Sequence, residues 1–268
     1  WEPRRKSLST LRDRLATAQG AVVVGGGLVG VELAGELSHF FPRLRVTLVD
    51  GNSKVLPQLA EGAREYAHSW LTHQGVRLSL GSPFVPESVT EGELVLWCVG
   101  TKTRAGGLFQ GAQVLKPNGQ VRVNRRMQVL RRAGGSDAEP ITGGPLELEP
   151  FGGGRIFAVG DAAEIEGVPT AQTIFHGEEM AAVAVANIEA EESIASPFAL
   201  GKTRREAEPG LPLLCATSLG PQDGMFSTQS ELVATGALVA LQKQFLEESK
   251  MGALQGHLMS SLLWMQMH

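Results

Sequence analysis

Apolar residues along this chain recur at spacings that switch between those of strands and those of helices. Ala21 to Val24 is a short apolar run and predicts a strand. Gly25 to Gly30 follows as a glycine turn. From Val29 the apolar positions Val29, Leu33, Leu37 and Phe40 return at spacings of three and four, which predicts a helix that Pro42 ends. Arg45 to Asp50 predicts a second strand, with VTLVD at its core. Ala63 to Gln74 reads as a helix stopped by Gly75, Val76 to Leu80 alternates as a strand, and Glu93 to Val99 reads as another buried strand. Ahead of them, Trp1 to Gln19 is basic and helix-compatible, with Leu8, Leu11 and Leu15 near one face. Strands alternating with helices predict a parallel sheet with right-handed crossovers, an α/β fold.

The pattern loosens after Thr101. Val121 to Val123 and Met127 to Leu130 read as short strands. Arg131 to Gly154 is rich in Gly, Pro and Glu and reads as an insertion or loop. Arg155 to Val159 predicts a short strand that runs into Gly160-Asp161. Ala171 to Ile188 predicts a packed helix, Glu189 to Gly210 a charged linker, and Leu211 to His268 a C-terminal segment with two helices.

Composition narrows the class. Hydrophobic residues make up 43% of the 268 positions and charged ones 19%, which fits a folded globular chain rather than a disordered one. A net charge of -4 gives no basic patch for nucleic acid. The two cysteines, Cys98 and Cys215, form no CxxC, so no zinc site or vicinal redox pair is read, and no other metal site is expected; their scarcity fits a reducing, intracellular setting. No apolar run reaches transmembrane length.

The glycine turn carries the chemistry. Gly25-Gly26-Gly27-Leu28-Val29-Gly30 contains G-x-G-x-x-G between a predicted strand and a predicted helix, the context that gives this short pattern weight. Gly25 permits the tight turn, Gly27 admits a pyrophosphate, and Gly30 lets helix and strand pack closely. The helix N-terminus offers unpaired amides to the phosphates. Asp50 ends the next strand, twenty residues after Gly30, where a carboxylate accepts ribose hydroxyls and repels a 2′-phosphate. This favours NAD(H) over NADP(H). Glu32, one turn into the helix, reads either as a partner of the helix dipole in solvent or as a functional acid.

A second signal is Gly160-Asp161-Ala162 at the end of the predicted strand Arg155 to Val159. A lone Gly-Asp pair is usually an ordinary turn; downstream of a dinucleotide turn it reads as a ligand-binding strand end.

Together VVVGGGLVGVELAGEL, VTLVD, LVLWCVGTKTR, RIFAVGDAAE and the VAVANI helix resemble the pyridine nucleotide-disulfide oxidoreductase superfamily. Within it the chain resembles the ferroptosis suppressor protein group, also called apoptosis-inducing factor homologues, and is similar to the type II NADH dehydrogenases. LLCATSLGPQDG and KMGALQGHLMSSLLW resemble the closing segment of the first group. The resemblance implies a two-dinucleotide-domain, Rossmann-like FAD/NAD(P)-binding fold. It implies that Gly25, Gly26, Gly27, Gly30, Glu32 and Asp50 hold NADH, with Cys98 and Gly100 beside the nucleotide. It implies that Gly160, Asp161 and Ala162 meet the FAD ribityl chain, and that Pro169-Thr170-Ala171-Gln172 lies near the flavin ring and quinone. His176 stands where type II NADH dehydrogenases carry a second glutamine, which places Gln172 and His176 one turn apart on one helix face; His176 reads equally as a packing or surface histidine.

The resemblance sets the expected organisation: residues 1–19 a linker helix, 20–100 the NAD(H)-binding domain, 101–190 the C-terminal half of an FAD-binding domain, and 191–268 a quinone- or membrane-facing segment. The family's leading FAD-binding strand and its own glycine turn have no counterpart, and the first residue is Trp1. A preceding flavin module of roughly a hundred residues is therefore expected. The segment Gly81 to Glu93 is shorter than the family's. The implied activity is hydride transfer from NADH to FAD and electron transfer to a quinone-like acceptor, with Glu32, Gln172 and His176 as catalytic candidates. Two alternatives stay open: a reductase of a small redox protein, and a non-enzymatic NAD-binding module. Leu254, Leu258, Leu262 and Met265 form a stripe that reads as core or as a peripheral membrane contact. Nothing in the sequence sets the oligomeric state.

Overall fold

The computed structural model describes residues 2–100, 103, 105–109, 113–133, 147–168, 172–195, 204–207 and 215–257. They group into two compact units, Trp1–Gly100 with Pro212–His268, and Thr101–Leu211.

The first unit opens with helix α1 (Glu2–Thr17) and is built on a four-stranded parallel sheet of β1 (Gly20–Val24), β2 (Arg45–Asp50), β3 (Arg77–Leu80) and β4 (Glu93–Trp97), in the order β3-β2-β1-β4. Helices α2 (Leu28–Phe40) and α3 (Glu61–His73) supply its crossovers. Alternation along β1 divides its side chains between the two sheet faces. Ala21 and Val23 are fully buried with Val31, Ala34, Leu48, Ala63, Ala67 and Leu71. Val22 and Val24 pack on the other face with Val49, Phe84 and Val95. In α3, Ala63, Ala67 and Leu71 recur every four residues, and it is this stripe that is buried. The buried strand expected over Glu93 to Val99 is shorter, and it is an outer strand of its sheet. Its residues are half-buried and Trp97 is 63% exposed, because hydrogen-bond pairing is to β1 alone.

In the second unit β5 (Val121–Val123) pairs in parallel with β8 (Ala163–Ile165), and β6 (Leu130–Arg132) pairs antiparallel with β7 (Leu148–Pro150). Three expectations change here. Met127 to Leu130 does not run as one strand, because Asn124 Oδ1 accepts the amides of Arg126 and Gln128 and closes a turn that leaves Met127 at φ 66°. Arg131 to Gly154 is not all loop, since both of its ends enter the β6–β7 pair. Arg155 to Val159 forms no strand; Phe157 makes a single bridge to Gln128, and the strand lies after Gly160-Asp161, at β8. Helix α4 spans Ile174–Ala195, starting later and running further than the predicted 171–188.

The C-terminal part of the first unit also departs from expectation. Cys215 onward forms an antiparallel sheet that the sequence reading did not include, of β9 (Cys215–Leu219), β10 (Asp223–Ser227) and β11 (Leu232–Thr235), followed by α5 (Ala237–Leu254), the one helix of this segment among the described residues. Cys215, Thr217 and Leu219 point inward at alternate positions. This period of two is hard to read in sequence because one inward position is a threonine. Of the expected C-terminal stripe, Leu254 ends α5 and is exposed, and Leu258, Leu262 and Met265 lie outside the described residues. No helix among the described residues is long and apolar enough to cross a membrane.

Candidate functional site

The glycine turn is fixed by its backbone. Gly25 donates its amide to Val49 O at 2.8 Å, and Cys98 donates to Val24 O at 2.7 Å, so the ends of β1, β2 and β4 meet at the turn. Gly25 has φ 116°, and a Cβ there meets the Cys98 carbonyl oxygen at 2.4 Å. A Cβ on Gly30 falls 1.8 Å from Gly25 O, so α2 can lie this close to β1 only with glycine at that position.

Gly27 differs from both: a Cβ there meets nothing within 4 Å. It occupies the N-cap of α2, and no side chain caps the helix. The amide end of α2 thus faces open space, a cradle that fits a pyrophosphate. Asp50 lies at its side. Its Oδ2 accepts the Gly26 amide at 2.5 Å, and its Oδ1 accepts the backbone and side-chain nitrogens of Asn52 at 2.6 and 2.8 Å. Cys98 is half-buried, and burial pushes its thiol up, away from thiolate chemistry. Gly100 turns at φ 83°.

Glu32 is held against the C-terminal strands and helix. Its Oε1 accepts the Ser218 amide at 3.0 Å and Lys243 Nζ at 2.5 Å, while Lys243 also donates to Ser218 Oγ at 2.6 Å. Burial raises the carboxyl of neighbouring Glu36 above its ordinary range, against the opposing charges of His39 and Lys243. Sequence reading missed Ser218 and Lys243. They lie 186 and 211 residues from Glu32, and no local pattern connects them.

In the second unit Gly160–Ala162 forms one 3₁₀ turn ahead of β8, so Asp161 precedes a strand instead of ending one. Asp161 and Ala162 are exposed, and a Cβ on Gly160, at φ 68°, meets nothing within 4 Å. The turn is pinned from behind: buried Gln120 donates to the carbonyls of Asp161 and Ala163 at 3.0 and 3.2 Å. Gln120 is a further residue the sequence did not single out. Gln172 also reaches the Asp161 carbonyl, at 3.4 Å. Gln172 precedes α4, so it does not share a helix face with His176; the helix begins only at Ile174. The imidazole of His176 shares a hydrogen bond through Nδ1 with Thr173 Oγ1 at 3.0 Å. Ala171, with Pro169 and Thr170, lies outside the described residues.

A parallel sheet whose first strand turns through glycines into an uncapped helix, with an acid ending the second strand, defines a Rossmann-like dinucleotide-binding protein. Residues 4–133, just under half of the chain, match the model of the pyridine nucleotide-disulphide oxidoreductase family. The family is one of NAD(P)H-dependent flavin oxidoreductases. Fe-regulated protein 8 of Mycosarcoma maydis is 28% identical over 193 residues, covering 66% of this chain and 43% of that protein. The type II NADH:quinone oxidoreductase of Staphylococcus saprophyticus is 28% identical over 107 residues, covering 31% of this chain and 27% of that protein. Among solved structures, the water-forming NADH oxidase of Lactobacillus brevis bound to NADH superposes with a TM-score of 0.55 at 18% identity. That match covers 82% of this chain and 44% of the oxidase, and likens the fold alone. The chain spans less than half the length of these relatives.

Proposed function

We propose that the protein containing this chain oxidises NADH through FAD and passes the electrons to a quinone-like acceptor. The observation that carries the reading is the open, uncapped amide end of α2 beside the Asp50 carboxylate. Gly25, Gly26, Gly27 and Gly30 would admit the pyrophosphate, and Asp50 would accept the adenosine ribose hydroxyls. Cys98 and Gly100 would form the wall beside the nucleotide. Gly160, Asp161 and Ala162 would line the flavin's ribityl side, with Gln120 keeping the Asp161 backbone in place, and Ala171 would lie near the flavin ring. Bound nicotinamide and flavin supply the hydride chemistry. The chain's contribution is position and charge: Glu32, Gln172 and His176 are the groups proposed to orient the reactants or hold a proton near them.

The quinone acceptor is favoured by the type II NADH:quinone oxidoreductase relative. A test is NADH consumption by the FAD-loaded protein with ubiquinone or menadione, against ferredoxin and disulfide acceptors. Quinone turnover well above the other acceptors supports the reading, and turnover with ferredoxin or thiols alone overturns it. NADH binding without any turnover supports a binding module instead.

A further inference from the structure

We propose that Asn118 and Glu164 are positioning residues of the flavin site, which fix the orientation of the Gln120 side-chain amide and through it the backbone of the Gly160–Ala162 turn. The inference rests on the reading above that this turn meets the ribityl side of FAD, and it extends that site to the side chains behind the turn.

Lys116-Pro117-Asn118-Gly119-Gln120 reverses the chain just ahead of β5. Gly119 donates its amide to Lys116 O at 2.9 Å and turns at φ 84°, and Lys116 donates its own amide to Gln120 O at 2.8 Å. Lys116, Asn118 and Gln120 alternate with Pro117 and Gly119, and their side chains join one chain of hydrogen bonds. Lys116 Nζ donates to Glu164 Oε1 at 2.5 Å. Asn118 Nδ2 donates to Glu164 Oε2 at 2.8 Å and to Gln120 Oε1 at 2.7 Å, while Asn118 Oδ1 accepts the Gln120 backbone amide at 3.1 Å. Gln120 Nε2 then donates to the carbonyls of Asp161 and Ala163, on either side of Ala162. All of these residues belong to the second unit.

Each group in this chain dictates the orientation of the next. An ionised carboxylate only accepts, so Glu164 requires the nitrogen of the Asn118 amide. That nitrogen requires the oxygen of Gln120, which leaves both protons of Gln120 Nε2 for the two backbone carbonyls. Turned over, Gln120 would set its oxygen against those carbonyls, and Gln120 is buried, away from water that could relieve the repulsion. Charge around Glu164 is balanced: Lys116 Nζ and Arg122 Nη1 each also stand 3.5 Å from Glu166, so two cations face two acids. The Asp161 carbonyl that the chain reaches also accepts Gln172 Nε2 at 3.4 Å, so it is shared with a group proposed to orient the reactants. A turn already held in one conformation has less freedom to lose when a ligand settles on it, and that is the contribution of Asn118 and Glu164 to flavin affinity.

The experiment measures FAD affinity of the purified protein and its variants by quenching of flavin fluorescence. Alongside it, NMR hydrogen exchange without flavin follows the Ala163 amide, which closes the turn onto Gly160 O. Asn118→Leu weakens FAD binding about tenfold, the scale of one lost hydrogen bond, and speeds Ala163 exchange by a similar factor. Glu164→Leu does the same, whereas Glu164→Gln, which keeps an oxygen for the Asn118 amide, retains most of the affinity. Faster exchange with unchanged FAD affinity confines the hydrogen-bond chain to a structural role and overturns the proposal, as does unchanged exchange in both leucine variants. A wild-type protein that binds no FAD overturns the flavin-site reading and the inference with it. Circular dichroism checks that each variant folds. Should a leucine variant not fold, Asn118→Ser, which keeps an acceptor for the Gln120 amide and removes the nitrogen, carries the same expectation.

Discussion

The amide of Gly26 donates to the Asp50 carboxylate at 2.5 Å, across 24 residues of sequence. This bond ties the glycine turn to the end of β2, so the acid that would meet a ribose also shapes the turn that would meet the phosphates. Replacing Asp50 with Ala removes both functions. A charge-assisted hydrogen bond contributes roughly 1.5–3 kcal/mol, so NADH affinity falls by about 10- to 100-fold in calorimetry.

Gly30→Ala places a methyl group 1.8 Å from Gly25 O, a distance no Cβ can hold. Helix α2 must move away from β1. Overpacking of this kind costs about 1–3 kcal/mol, visible as a lower midpoint in urea unfolding and as weaker NADH binding. Gly27→Ala meets open space in the free protein, so it leaves stability nearly intact and weakens only the nucleotide complex.

Glu32 and Lys243 join α2 to α5 at 2.5 Å, with both side chains less than one-third exposed. A double-mutant cycle of Glu32→Gln and Lys243→Met in urea unfolding is expected to give a coupling of about 1 kcal/mol, above that of a typical surface pair. A coupling near zero shows that the pair does not hold α5 in place.

In the second unit, burial pulls the Glu164 carboxyl upward, but hydrogen bonds from Lys116 and Asn118 and the charges of Lys116 and Arg122 leave it below its ordinary range. A carboxyl lower in the folded than in the unfolded state stabilises the fold above the unfolded value. That contribution is lost as pH falls through the folded value. Stability against pH therefore declines on acidification below about pH 5, and Glu164→Gln flattens the decline while lowering stability at neutral pH.

Legibility in the sequence followed the range of each interaction. The turn Gly25–Gly30 and the flanking elements β1 and α2 were readable because each depends on neighbours within one strand-turn-helix unit, and Asp50 because it closes the apolar run of the next strand, β2. Leu211 to His268 gave only an expectation of two helices, and the antiparallel strands β9, β10 and β11 were not read at all. Their inward positions include Thr217, and their pairing partner is visible only once the hairpin closes. The Gly160-Asp161 turn was found, but on the wrong side of its strand: Arg155 to Val159 is as apolar as a strand, while pairing with β5 falls to Ala163–Ile165. Gln172 was placed on a helix that begins two residues later, because periodicity fixes a helix far better than it fixes its first residue.

The amino-acid sequence alone determined the parallel α/β pattern, the glycine turn and the acid at the end of β2, since these rest on backbone permissions and local periodicity. Only the tertiary structure decided that Glu32 meets Ser218 and Lys243, that Gln120 pins the Asp161 backbone, and that Asn118 links Glu164 to Gln120. Those contacts form between side chains whose approach is set by packing. Charge and hydrogen-bonding capacity are written residue by residue, but which groups face each other follows from how the elements fold together.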